Sequence, residues 1–167
     1  MAAVIALGID PGIAACGFGV VEFVDGRLRL LDAGSIRSHV SASDGDRLEH
    51  LHRALAGLIA RHRPDRVGVE RLYFQRNVRT AMAVSQARGV ALLAAAQARL
   101  AVDEPTPNEV KLAVCGNGAA DKHQVAAMVE RLLGVTLPRA ADDATDAVAV
   151  AIGCAYRAAV VMRAASG

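Results

Sequence analysis

The stretch VIALGIDPG, Val4–Gly12, decides how the chain is read. Its aliphatic and β-branched run has the composition of a buried strand. The run ends on a carboxylate, Asp10, and Pro11 directly behind it cannot donate to a sheet ladder, so regular pairing is expected to stop there. A charge at the end of a central strand is costly without a partner. No Lys or Arg precedes Arg27, so nothing nearby in sequence pairs Asp10, and the arrangement invites a cation from outside the chain.

Outward from this stretch, Gly17–Val24 and Arg27–Ser38 read as two further strands. Asp25-Gly26 between them is a strong two-residue hairpin signal, so the first three strands form an antiparallel meander. Leu48, Leu51, Leu55, Leu58 and Ile59 recur at helical spacing, and Pro64 stops that helix. A short strand, Arg66–Glu70 (RVGVE), again ends on a carboxylate. A long helix is predicted over Val78–Leu100, and LAVDEP gives a brief fifth strand. Thr106, Pro107 and Glu109 make a capping box with proline at the first helical position, opening a short helix that carries Lys111. The loop CGNGAADK leads into a helix that stops at Gly134, and a last helix runs from Asp142 to Arg163. A meander followed by alternating strands and helices implies an α/β fold: a five-stranded mixed sheet flanked by helices, expected as a single domain over residues 1–167.

The 167 residues suffice for one real core, and neither repeats nor a linker interrupt them. A net charge of +2 does not by itself argue for nucleic acid. The distribution says more: Arg61–Arg99 holds eight Arg against Asp65 and Glu70, a local net of +6. Cys16, Cys115 and Cys154 are widely spaced and form no CxxC, which fits inert thiols in a reducing cytoplasm. No basic segment precedes an apolar core at the N-terminus, so no signal peptide is expected. The uncharged runs GVALLAAAQA and AVAVAIGCAY are about ten residues, against about 20 needed to span a bilayer.

Four acids stand out by context. Asp10 and Glu70 end apolar strands, and Asp143 and Asp146 sit three apart at the head of a helix, on one face. Each has a plain reading. Asp142 or Asp143 can cap the helix, Glu70 can pair with Arg66 or Arg71, and Asp10 can begin a turn with Gly12. Taken together, converging carboxylates repel one another strongly unless a cation is present, and all-oxygen donors favour Mg²⁺ or Mn²⁺. Such a set suits phosphoryl transfer by two metal ions, and the basic segment beside Glu70 can hold a polyanion over them. In CGNGAADK, Gly116 and Gly118 can let backbone amides approach a phosphate, or simply keep a loop flexible. Lys111 and Lys122 flank that loop and are candidate phosphate contacts. In ERLYFQRN, Tyr73 can stack on an unpaired base, Phe74 can anchor the loop, and Arg76 is a candidate DNA contact.

The motifs GIDPG at 8–12, ERLYFQRN at 70–77, SQARGVALLAAA at 85–96, NEVKLAVCGNGAADKHQVAAMV at 108–129 and DDATDAVAVAIG at 142–153, in this order, resemble the RuvC family of Holliday-junction resolvases. The resemblance implies an RNase H-like fold and a homodimer that nicks two opposing strands of a four-way DNA junction, leaving 5′-phosphate and 3′-hydroxyl ends. It implies catalytic and metal-binding roles for Asp10, Glu70, Asp143 and Asp146, functional lysines at Lys111 and Lys122, and a base contact at Tyr73. It also implies partnership with RuvA and RuvB-like branch-migration proteins. Part of the dimer interface is expected on AMAVSQARGVALLAAAQA, whose small apolar residues exceed what a one-sided helix needs. Three rivals remain. An RNase H-like nuclease for RNA–DNA hybrids keeps the metal logic. A non-enzymatic junction-binding protein has no use for the strand-end acids. An ATPase of the actin or sugar-kinase superfamily needs a second half, for which 167 residues leave no room.

Overall fold

A computed structural model of the chain describes residues 3–71, 77–138 and 142–165. β1 (Val4–Asp10) lies at the centre of a five-stranded sheet. On one side it pairs antiparallel with β2 (Ala15–Val24), which pairs antiparallel with β3 (Arg27–Arg37). On the other side it pairs parallel with β4 (Arg66–Val69), and β4 pairs parallel with β5 (Ala101–Asp103), giving the order β3-β2-β1-β4-β5. The hairpin turn falls on Asp25 and Gly26, both at positive φ, as its sequence requires. The helices are α1 (Asp44–His62), α2 (Val78–Gln97), α3 (Pro107–Cys115), α4 (Lys122–Leu133) and α5 (Asp142–Ala165).

Alternation along the strands sends successive side chains to opposite faces. Leu7, Ile9, Val20, Val67 and Val69 face α1 and α2, packing on Leu51, Leu55, Ala87 and Ala91. The opposite face of β1, β2 and β4 carries glycines in place of side chains, and α5 lies directly on it. A Cβ added at Gly8 would come within 2.1 Å of the Ala147 carbonyl oxygen, and one at Gly17 within 2.0 Å of that of Asp143. At Gly19 and Gly68 the nearest atoms belong to Val148 and Val150. Gly19, Gly8 and Gly68 are register partners, so they form a row across three strands beneath the helix.

By length and composition α5 could cross a membrane, a length the short uncharged runs in its sequence did not suggest. Its position makes it the core helix: Ala147, Val148, Ala151, Ile152 and Ala155 are fully buried between the sheet and α3 and α4. Several element limits also differ by one to three residues from those expected, two of them for a visible reason. β2 starts at Ala15, because the end of β3 pairs with it as far as Arg37. α2 ends at Gln97, because Arg99 turns into the left-handed region and redirects the chain into β5.

Candidate active site

Asp10 ends β1, and Glu70 stands one residue beyond β4, its N–H donating to the Ile9 carbonyl at 3.5 Å. The two therefore sit side by side at the carboxyl edge of adjacent parallel strands. By the parity of the alternation both point to the α5 face, like Gly8 and Gly68. Asp143 is held over Gly17, the register partner of Asp10. Asp146 follows on the same helical face. The glycine at position 17 lets the head of α5 descend to the level of Asp10.

Electrostatics report the same convergence. Burial, then the charges of Asp146, Glu70 and Asp143, push the Asp10 carboxyl up from its ordinary value to about 7. Glu70 is raised by burial and by Asp146, with Lys111 opposing. Asp146 is raised chiefly by burial, against the pull of Lys122. Among the described residues, no three His, Cys, Asp or Glu are gathered tightly enough to hold an ion as they stand. The four acids thus share one electrostatic field without closing into one coordination sphere. The donor set fits a hard divalent cation, because all the donors are carboxylate oxygens and their mutual repulsion is relieved by positive charge.

Positive charge already reaches this edge. Lys122 opens α4 behind a capping box of Asp121 and Gln124, and its ammonium lies 3.5 Å from Asp146 and 3.4 Å from Asp142. Asp146 leads the causes that raise the lysine. Asp142, 71% exposed, does not figure among the charges pressing on Asp10; it faces the lysine instead. Lys111, on α3, is close enough to Glu70 to oppose its upward shift. Gly116 caps the C-terminus of α3 at φ 69°, its N–H donating to the Leu112 carbonyl, so that amide is committed to the helix end. Tyr73 and Arg76 lie outside the described residues.

Arg66 is no partner for Glu70. It forms a two-pronged bond to Asp103, at 2.9 and 3.0 Å, and the Cys154 thiol donates to the same carboxylate at 3.0 Å. Asp103 had gone unremarked in the sequence, although it ends an apolar strand as Asp10 does. The glycine row had also gone unremarked; its signal is Gly8, Gly17, Gly19 and Gly68 inside strand patterns, where glycine marks a close approach. Both thiols near the site are inert: burial pushes Cys16 up to about 12 and Cys154 higher still.

A meander continued by two parallel strands, crossed by a helix that brings acids to the carboxyl ends of β1 and β4, makes this an RNase H-like protein. A family model described as crossover junction endodeoxyribonuclease RuvC matches residues 6–154, and the chain belongs to the RuvC family. It is 51% identical over 159 residues to a crossover junction endodeoxyribonuclease RuvC of Chloroflexus aurantiacus, covering 95% of this chain and 96% of that one. It is 52% identical over 156 residues to the protein of the same name from Salinispora arenicola, covering 90% and 87%. Among solved structures it matches Thermus thermophilus RuvC in complex with Holliday junction substrate, with TM-score 0.87 and 35% identity over 93% of this chain and 94% of that one. Nucleases of this family are metal-dependent hydrolases.

Proposed function

We propose that the chain is a Holliday-junction resolvase that hydrolyses one phosphodiester in each of two opposing strands, leaving 5′-phosphate and 3′-hydroxyl ends. The observation that carries this reading is geometric: Asp10 and Glu70 stand side by side at the carboxyl ends of adjacent parallel strands, and the close approach of α5 at Gly17 brings Asp143 and Asp146 to the same edge. Carboxylates gathered in this way repel one another, and a cation relieves the repulsion. Asp10, Glu70, Asp143 and Asp146 are the proposed holders of two Mg²⁺ or Mn²⁺ ions. Bound ions of this kind activate a water and stabilise the leaving oxygen.

The remaining roles belong to the chain. Lys111 and Lys122 neutralise the phosphate at the acids. Lys122 must leave Asp146 when a cation arrives, and Asp142 keeps its ammonium at the edge of the site. Tyr73 is assigned base stacking and Arg76 a backbone contact, both on the strength of the ERLYFQRN motif. A homodimer suits a two-fold substrate. α2 supports it with an outward stripe in which exposed Val78, Met82 and Leu93 flank Ser85 and Gly89, and a Cβ at Gly89 would meet nothing in this chain. The reading also carries a single nuclease domain over residues 1–167, a cytoplasmic setting and RuvA and RuvB-like partners.

The test is incubation with a mobile four-way junction, a plain duplex and an RNA–DNA hybrid, in Mg²⁺, Mn²⁺ or EDTA, with Asp10→Asn alongside. Paired, symmetric, metal-dependent nicks on the junction alone, absent in the variant, are expected. Cleavage of the hybrid instead keeps the chemistry and overturns the substrate. Junction binding without cleavage in any metal makes the protein a binding module.

A further inference from the structure

Beyond the acids, the same end of the sheet carries a groove lined by arginine and histidine to which nothing above assigns a role. The end of β3 and the first turns of α1 enclose a cavity of about 520 Å³ lined by Arg37, Ser38, His39, Asp46, Arg47 and His50. Among the described residues no carboxylate pairs with the exposed Arg37. Arg47 is fixed in place: its Nε donates to Ser38 Oγ at 2.8 Å, and Ser38 Oγ in turn donates to the Ile13 carbonyl at 2.6 Å. The Ser41 N–H donates to His39 Nδ1 at 3.3 Å, so the neutral ring carries its proton on Nε2 and has a donor to offer. Asp46 also lines the groove and accepts from the Ser43 hydroxyl at the cap of α1, and Asp44, 3.9 Å from Arg47, offsets the charge of that arginine, which leaves Arg37 as the exposed cation of the groove. Two arginines, two imidazoles and Asp46 therefore border a trough at the carboxyl end of the sheet, on its α1 side.

Sheet geometry fixes how far this trough lies from the acids. Gly17 pairs with both Asp10 and Ser35, so these three residues form one row across β1, β2 and β3, and Arg37 lies two residues beyond it. With strands about 4.8 Å apart and about 3.3 Å per residue, the Arg37 Cα is on the order of 12 Å from that of Asp10. Phosphates of one DNA strand recur about every 3.4 Å along the helix axis.

The geometry points to a second DNA contact: the Arg37–Arg47–His50 groove holds backbone phosphates of a junction arm within a few nucleotides of the phosphate held at the acids. This rests on the resolvase reading for its substrate, but the groove acts in binding and takes no part in the chemistry. Its contacts are to backbone, so they position the arm without reading its sequence.

The test uses four-way junctions carrying one neutral methylphosphonate, moved a nucleotide at a time along the strand on both sides of the nick. These are titrated against the wild-type protein, the Arg37→Gln, His50→Gln double variant and Arg27→Gln at the far hairpin end of the sheet. The groove variant is expected to bind the unmodified junction about five- to tenfold more weakly, with the slope of log K against log salt reduced by about 1. At one position within a few nucleotides of the nick, a neutral linkage should weaken the wild type and leave the variant unaffected. Arg27→Gln should behave as wild type, and single-turnover cutting by the groove variant at saturation should hold within about twofold. Unchanged affinity and slope, or a neutral-linkage penalty equal in variant and wild type at every position, overturns the groove. A wild type that binds the junction but cuts it in no metal overturns the nuclease while the same titrations still judge the groove. A wild type that binds no junction overturns both.

Discussion

Two strand ends in this molecule carry the same residue and treat it in opposite ways. Asp10 ends β1, Asp103 ends β5, and both face α5. Burial alone would push Asp103 up, but the Arg66 guanidinium and the Cys154 thiol hold it below the ordinary carboxylate range. Among the described residues Asp10 has no such hydrogen-bonded partner, and burial with the charges of three more acids outweighs Lys122, so it rises to about 7. One carboxylate is completed by the chain and serves as a rivet between β4, β5 and α5. The other is left incomplete, which is the condition for holding something from outside. A buried acid is therefore a candidate for chemistry when the fold withholds its counter-charge, and burial alone does not distinguish the two.

The contrast is broken most sharply by removing each charge in turn. Asp10→Asn or Glu70→Gln should lower single-turnover junction cutting by more than about a hundredfold with binding retained. Asp103→Asn should leave cutting per folded molecule within about threefold. A comparable loss of cutting at Asp103 would mean that the rivet also serves the chemistry. Second in size is the mounting of α5: Gly8→Ala forces a Cβ to within 2.1 Å of the Ala147 carbonyl, where overpacking costs about 1–3 kcal/mol and backbone can yield little. Urea midpoints measure it, and an unchanged midpoint would show that α5 does not rest on the glycine row. Third, Asp103→Asn strands a guanidinium that is only a quarter exposed, and should destabilise by about 1–3 kcal/mol after discounting for solvent.

The smallest effect is in pH. A carboxyl raised in the folded state contributes stability that is full below its unfolded value and is lost as pH rises through the folded one. For Asp10 that window runs from 3.8 to about 7. In EDTA, the melting temperature of the wild type should therefore rise on acidification from about pH 8 to about pH 5.5, and Asp10→Asn should rise less and start higher. Asp103 has the opposite sign, its contribution fading only as pH falls below the ordinary carboxylate range. Identical pH profiles for wild type and Asp10→Asn would mean that the acids at this edge do not press on one another.

Much of this was legible because the signals were local. The VIALGID run, the Asp25-Gly26 turn and the Thr106–Glu109 capping box each determine their own conformation, and all three stand as read. The acids of the site were visible as strand ends and as a helical pair. What stayed hidden depends on pairs distant in sequence. Arg66 looked like a partner for the neighbouring Glu70, and only the parallel register of β4 and β5 delivers it to Asp103. The glycines in β1, β2 and β4 gain meaning once α5 is laid across them. Lys122 read as a phosphate contact beside a glycine loop, and its ammonium between Asp142 and Asp146 follows from how α4 meets the head of α5.

The placement of Asp143 over Gly17 also sets an order in time. Asp10 leaves the ribosome with the first strand, whereas Asp143 and Asp146 are translated only after four of the five helices. At about 5–20 residues per second, the interval between the first and last acids is on the order of ten seconds. Through that interval the glycine row of β1, β2 and β4 has no helix to cover it, and two of the four proposed metal-holding acids are still missing. With the roles proposed for these acids, the site is completed only when α5 docks on the sheet.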